Sequence, residues 1–231
     1  MTIGVMDSGI GGLNVLAELI KNRCGDRYIY LSDGANLPYG EKDGETLRQI
    51  ALAGTERLIE HGANLIVYGC NTLSVSALDY VRKQVIPPVF GLIPRPDLLS
   101  GRSLLMTTPT TALYLPKIEK EVSLLTPADL ASLIDRDYPD PIGIRRYLSP
   151  LLLPYGDCER VYLGCSHYLY AGEVIGSLIP RAKILSGVPH LAALVRAVLP
   201  EEGCRNPSIE LLFTGENQRT RYLSILSSLL K

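Results

Sequence analysis

The chain has 231 residues, 46% of them hydrophobic and 20% charged, with a formal net charge of -1. So even a balance, without basic runs interleaved with aromatics, gives no electrostatic grip on nucleic acid or an anionic membrane. Apolar stretches such as "PLLLPYG" and "LAALVRAVL" fall far short of the ~20 residues of a membrane helix. The first residues carry no signal-peptide pattern. The five cysteines include no CxxC spacing, which argues against a disulfide framework. A cytoplasmic α/β protein with neither membrane nor nucleic acid as partner is expected.

Strand-like runs alternate with helical patterns. "TIGVM" precedes "GGLNVLAELIKN", whose Leu13, Leu16, Ala17 and Ile20 share a helix face. "YIYLS" leads into the loop "DGANLPYGEKDG". A helix aligned on Leu47, Ile50, Ala51, Gly54 and Leu58 follows, with a glycine stop at His61-Gly62. "ANLIVYG" reads as a third strand and "PPVFGLI" as a fourth. Between them "SVSALDYVRKQ" places Val75, Leu78, Val81 and the following Val85 on one helix face. A second series runs through "RSLLMTT", "EVSLLT", "ERVYLG" and "AKILS", again with helical stretches between. Strands alternating with helices imply βαβ units and a mostly parallel sheet.

The two series read as weak copies. "VMDSG" at 5–9 matches "LMTTP" at 105–109, and "VYGC" ending at Cys70 matches "LGC" ending at Cys165. The expected architecture is two similar doubly wound lobes, related by a pseudo-twofold and facing across a cleft. Residues 1–92 with 206–231 would form one lobe and 93–205 the other. The Pro-rich "GLIPRPDLLSG" at 91–101 is the crossover.

Parallel strands deliver their C-terminal ends to one sheet edge, where ligands bind. Asp7, Cys70, Thr107 and Cys165 all fall at such ends, so facing lobes aim two thiols into one cleft. A helix N-terminus lowers a thiol's pKa from about 8.5, making thiolate available as a base. Two such groups can remove a proton from one face of a bound molecule and deliver one to the other. That inverts a stereocentre without a cofactor. Asp7 and His167 stand where they would tune the thiols. Ser8, Asn71, Thr72 and Ser166 supply short polar contacts for an amino acid, whose carboxylates suit helix-start N–H groups.

Blander readings fit the remaining residues. Cys24, Cys158 and Cys204 read as small buried hydrophobes, and His61 and His190 as structural. A zinc site from Cys70, Cys165 and His167 lacks a fourth ligand at the usual spacing. "DSGIGG" lacks both the GxGxxG register and the Walker lysine of phosphate loops.

Through "GVMDSGIGGLNVL" at 4–16, "LPYGEK" at 37–42, "CNT" at 70–72 and "LGCSHY" at 163–168, the chain resembles the glutamate racemases. These belong to the cofactor-independent aspartate/glutamate racemase superfamily. Weaker echoes are "MTTPTTALY" at 106–114 and "LLFTGEN" near the C-terminus. The resemblance implies an isomerase that interconverts L- and D-glutamate without pyridoxal phosphate, metal or any other cofactor, and supplies D-glutamate for peptidoglycan. It implies Cys70 and Cys165 as the paired base and acid, assisted by Asp7 and His167. Substrate contacts would fall on Asp7, Ser8, Tyr39, Gly40, Asn71, Thr72, Ser166 and His167. Asp33 fills an acidic position that the family also carries, and a homodimer is compatible with it.

There are departures. Ser166 stands where the family has threonine, and Leu73 where a small residue is usual, which would narrow the cleft. Asp135 in "LASLID" is the nearest match to a second-lobe glutamate and is one methylene shorter. "ILSGVPHLA" lacks the acid that usually precedes its Ser-Gly. Racemisation of another amino acid, a one-thiol decarboxylase or isomerase, and a non-catalytic amino-acid binder therefore stay open.

Overall fold

The computed structural model describes residues 1–118, 121–200 and 202–231. The first half runs β1 (Thr2–Asp7), α1 (Leu13–Lys21), β2 (Arg27–Ser32), α2 (Gly44–Glu60), β3 (Leu65–Tyr68), α3 (Asn71–Val81) and β4 (Val89–Gly91). The second runs β5 (Ser103–Thr107), α4 (Pro109–Ala112), β6 (Val122–Leu125), α5 (Leu130–Asp137) and α6 (Pro141–Leu152). It continues with β7 (Arg160–Gly164), α7 (Gly172–Leu178), β8 (Lys183–Ser186) and α8 (Val188–Ala197). β9 (Ser208–Phe213) and α9 (Arg219–Leu230) follow.

The strands form two sheets, ordered β4-β3-β1-β2-β9 and β6-β5-β7-β8, with every pairing parallel. Taking β5 to β8 as counterparts of β1 to β4 makes the two orders the same, apart from the added β9. The two-lobed, doubly wound architecture expected from the weak repeat is thus what the chain adopts. Central strands such as β1 and β3 are apolar without alternation because helices cover both sheet faces.

Equivalence fixes where the chemistry lies. β3 leads through Gly69 into Cys70, and β7 ends at Gly164 just before Cys165, so the two thiols occupy matching sheet edges. Asp7 closes β1 and Thr107 closes β5.

One apolar cluster joins the lobes. Ile3 and Val5 of the first sheet belong to the same cluster as Leu104 and Val161 of the second. α1 lies in this seam, packed on α8 from one lobe and α9 from the other. That explains why its Val15 and Leu19 are buried beside the expected face of Leu13, Leu16 and Ala17. No helix among the described residues is long and apolar enough to cross a membrane.

Two local expectations change. α3 begins at Asn71, not Ser74, with Cys70 as its N-cap residue, and ends at Val81. The polar "NT" serves the first turn, where unpaired N–H groups favour small polar residues. Val85 lies beyond the helix, although it still packs against the core. After Cys165 the chain forms a 3₁₀ stretch, Ser166–Ala171, before α7. The glycine stop of α2 is as read: His61 caps it and Gly62 has φ +93°.

Gly69 marks a close backbone crossing. A Cβ there would sit 2.9 Å from the Gly12 Cα, against main chain that cannot swing away. Gly69→Ala should therefore cost about 1–3 kcal/mol through overpacking. Urea unfolding would show this as a lowered midpoint with an unchanged slope.

Candidate active site

Asp7 is fully buried and takes its partners from both lobes. Its Oδ1 accepts from the Ser8 backbone N–H (2.6 Å) and Ser8 Oγ (3.2 Å), and its Oδ2 accepts from Ser166 Oγ (2.8 Å) across the cleft. Burial raises the Asp7 pKa above the usual carboxylate value, against the opposing pull of His167 and these hydrogen bonds.

The loop after Asp7 lies flat on second-lobe side chains. A Cβ on Gly9 would collide with Asp135 Oδ1, and one on Gly11 with Ser166 Oγ. The glycines of "DSGIGG" are thus required for close approach. Ile10 uses the space so gained, its N–H donating to Asp135 Oδ1 at 2.8 Å.

The same Asp135 oxygen lies 3.2 Å from His167 Nε2. Burial opposes the His167 charge, but hydrogen bonds to Asp135 and Cys165 and the fields of both carboxylates outweigh it, holding its pKa well above the usual value. Asp135 shows the reciprocal balance. Burial pushes its pKa up, yet the bond and charge of His167 bring it below the usual carboxylate value. Both shifts favour charge separation between His167 and Asp135, with the Cys165 sulfur a further partner of the imidazole.

Cys70 departs from expectation. Backbone N–H groups of Leu73 and Thr72 do point at its sulfur and lower its pKa, as a helix start should. Burial, the largest cause, reinforced by the negative charge of Asp7, outweighs them and pushes the thiol well above its ordinary value. The expected depressed thiol is replaced by one that keeps its proton in the closed cleft. A helix terminus can stabilise thiolate only in part once water is gone. The two sulfurs belong to residues 5% and 4% exposed, so the lobes are shut over them.

The remaining expected contacts surround this centre. Asn71 donates through Nδ2 to the Leu92 carbonyl (2.9 Å), while its buried Oδ1 has no partner. Thr72 Oγ1 meets Thr108 Oγ1 and Thr111 Oγ1 of the second lobe. Tyr39 turns its hydroxyl to Asp33 Oδ2 (2.6 Å), and its carbonyl accepts from the Lys42 N–H. The Gly40 carbonyl accepts from Thr110 Oγ1 at 2.8 Å. Asp33 also accepts from Asn36 and Thr214 and is tied to β1, its N–H donating to the Asp7 carbonyl. Leu73, expected to narrow the cleft, lies in the apolar cluster that also holds Cys70 and Tyr39.

Asp7 with Ser8 and Ser166, and Asp135 with His167 and Cys165, thus form two bonded sets joined by the attraction between Asp7 and His167, with Cys70 beside Asp7. Thr108, Thr110 and Thr111 were not singled out as site residues from sequence. The signal was available in "TTPTT", four threonines in five residues directly after a strand end.

No family sequence model matches the chain. Its sequence is 31% identical, over a 247-residue alignment, to the glutamate racemase of Leptospira interrogans, spanning 99% of this chain and 92% of that one. The chain belongs to the glutamate racemase family. The glutamate racemase of Campylobacter jejuni shares its fold at a TM-score of 0.84, with 20% identity over 100% of this chain and 98% of that one. The Francisella tularensis glutamate racemase, solved in complex with D-glutamate, superposes with a TM-score of 0.78 at 25% identity, over 99% and 93% of the two chains.

The Asp135–His167 pair gives this family member a titration signature. His167 is one of only three histidines, which makes its ring resonances easy to follow by NMR. Its folded pKa is raised above the unfolded value of about 6.5. Its contribution to stability is therefore complete below that value and lost as pH rises through the folded pKa. Asp135→Asn should move the His167 titration downward and cost roughly 3 kcal/mol at pH 6. The pH dependence of urea unfolding should flatten correspondingly.

Proposed function

We propose that this chain is a glutamate racemase, in which Cys70 and Cys165 act on opposite faces of the substrate α-carbon. The observation that carries the reading is the pair of thiols on topologically equivalent strand ends, closed into one buried polar seam. One sulfur, as thiolate, takes the α-proton while the other, as thiol, supplies a proton from the opposite face. The electron pair left by the C–H bond passes toward the α-carboxylate and returns to form the new bond. The roles exchange with reaction direction, and no cofactor enters.

Asp7 stands beside Cys70 as the group that accepts its proton. His167, held cationic and bonded to the Cys165 sulfur, serves the other side. The free Asn71 Oδ1 suits the substrate ammonium. Ser8, Thr72 and Ser166 hydroxyls suit its carboxylates, as do backbone N–H groups at the start of α3 and at Tyr39-Gly40. Water exclusion by the closed lobes strengthens each of these interactions.

The accompanying boundaries are residues 1–92 with 206–231 for the first lobe and 93–205 for the second. The reading carries with it a cytoplasmic setting, a homodimer and supply of D-glutamate for peptidoglycan.

The test is turnover of each glutamate enantiomer in D2O without added cofactor, followed by circular dichroism and by NMR at the α-carbon. Inversion with α-deuteration is expected. Cys70→Ala and Cys165→Ala should each lower kcat by at least about 10²–10⁴, the usual weight of a general acid or base. Either variant staying within tenfold of the parent would sink the two-thiol scheme. Deuteration without inversion would mark one-thiol chemistry instead.

A further inference from the structure

Thr72, Thr108 and Thr111 form a closed ring of hydroxyls across the lobe boundary. Thr108 Oγ1 lies 2.8 Å from Thr111 Oγ1, Thr72 Oγ1 lies 2.9 Å from Thr108 Oγ1, and the third side is 3.0 Å. All three residues are buried. We propose that Thr108 and Thr111 are positioning residues for substrate, holding the Thr72 hydroxyl in place and leaving its O–H free to turn and donate when a carboxylate arrives. This rests on the reading of Thr72 as a substrate contact.

The proton count supports a switch. A hydroxyl has one donor and two acceptor sites. Thr108 donates to Thr111. The cycle closes if Thr111 donates to Thr72 and Thr72 to Thr108, leaving every donor used. Thr108 Oγ1 has a second donor in the Thr111 backbone N–H, 3.2 Å away at the start of α4. When a carboxylate accepts the Thr72 hydrogen bond in place of Thr108, Thr108 still accepts from that N–H and Thr72 still accepts from the Thr111 hydroxyl. No buried donor is stranded, so the turn toward ligand avoids the penalty of an unmet polar group.

A simple helix cap explains less. Capping α4 needs only Thr108 Oγ1 and the Thr111 N–H. It does not require a hydroxyl at Thr111, nor a first-lobe hydroxyl within 3.0 Å of both. The same segment also grips the other substrate loop. Thr110 Oγ1 donates to the Gly40 carbonyl, and a Cβ on Gly40 would lie 2.8 Å from the Thr108 Cβ. α4 therefore holds the first-lobe elements carrying Thr72 and Gly40 in one register.

The experiment compares Thr111→Val, which keeps the shape, with Thr111→Ser, which keeps the hydroxyl. Wild-type turnover of glutamate first tests the racemase reading itself. Given that turnover, Thr111→Val should raise KM for both enantiomers roughly tenfold, the weight of one lost buried hydrogen bond. Its kcat should stay within about threefold, because ground-state and transition-state binding fall together. Thr111→Ser should restore KM to within about threefold. An unchanged KM in Thr111→Val, or a Ser variant as impaired as the Val variant, would overturn the proposal while leaving the racemase reading intact. Should wild-type protein not turn glutamate over, thermal unfolding of the ligand-free protein decides. Tm losses in Thr72→Val and Thr111→Val should be non-additive in the double variant, and additive losses would reject the ring.

Discussion

Two acids, Asp7 and Asp135, and the His167 imidazole lie out of water at the junction of the lobes, and neither lobe alone can satisfy them. Asp7 needs the Ser166 hydroxyl from the second lobe, and Asp135 needs the Ile10 N–H from the first. Removing ions from water costs several kcal/mol each unless geometry and hydrogen bonds compensate. The closed arrangement supplies that compensation from both sides, fully enough to lower the Asp135 pKa but not that of Asp7. Much else follows from it: glycines at 9 and 11, because side chains would displace Asp135 and Ser166, and a pre-charged histidine, because two acids surround it.

The same closure reverses the simplest expectation for Cys70. In a wet cleft the start of α3 would favour thiolate, whereas in the sealed one the desolvation penalty and the nearby Asp7 charge dominate. A thiol that keeps its proton is suited to be the acid partner. Converting it to a base requires a change in the charge around it, and a substrate ammonium placed near Asp7 brings such a change.

Much of this was legible in the residues. The strand–helix alternation gave the parallel sheets, and the echo of "VYGC" in "LGC" reflects two strands in equivalent positions, since the repeat preserves the sheet order. What stayed hidden depends on approach between segments far apart in the chain. The Asp135–His167 contact spans 32 residues and the Asp135–Ile10 contact 125. Pattern reading sees helix faces, not which faces meet. The Thr72–Thr108–Thr111 ring was hidden for the same reason, because hydroxyl-rich turns are common and only their convergence is informative. The raised Cys70 pKa needed the burial, which no local spacing encodes.

The last strand carries a different kind of consequence. β9 pairs with β2 along its full length, Arg27 with Ser208 through Ser32 with Phe213, so the first sheet takes its fifth strand from beyond the whole second lobe. During synthesis the outer edge of β2 emerges roughly 180 residues before its partner, which at ~5–20 residues per second is on the order of ten seconds or more. A bare strand edge is a template for unwanted pairing. α9 then brings Tyr222 onto Ser32 and Arg221 onto the Asp135 carbonyl. The segment that seals the open edge thus also touches the acid bonded to His167, and the nascent chain completes its sheet and braces the buried seam between its lobes in the same late step.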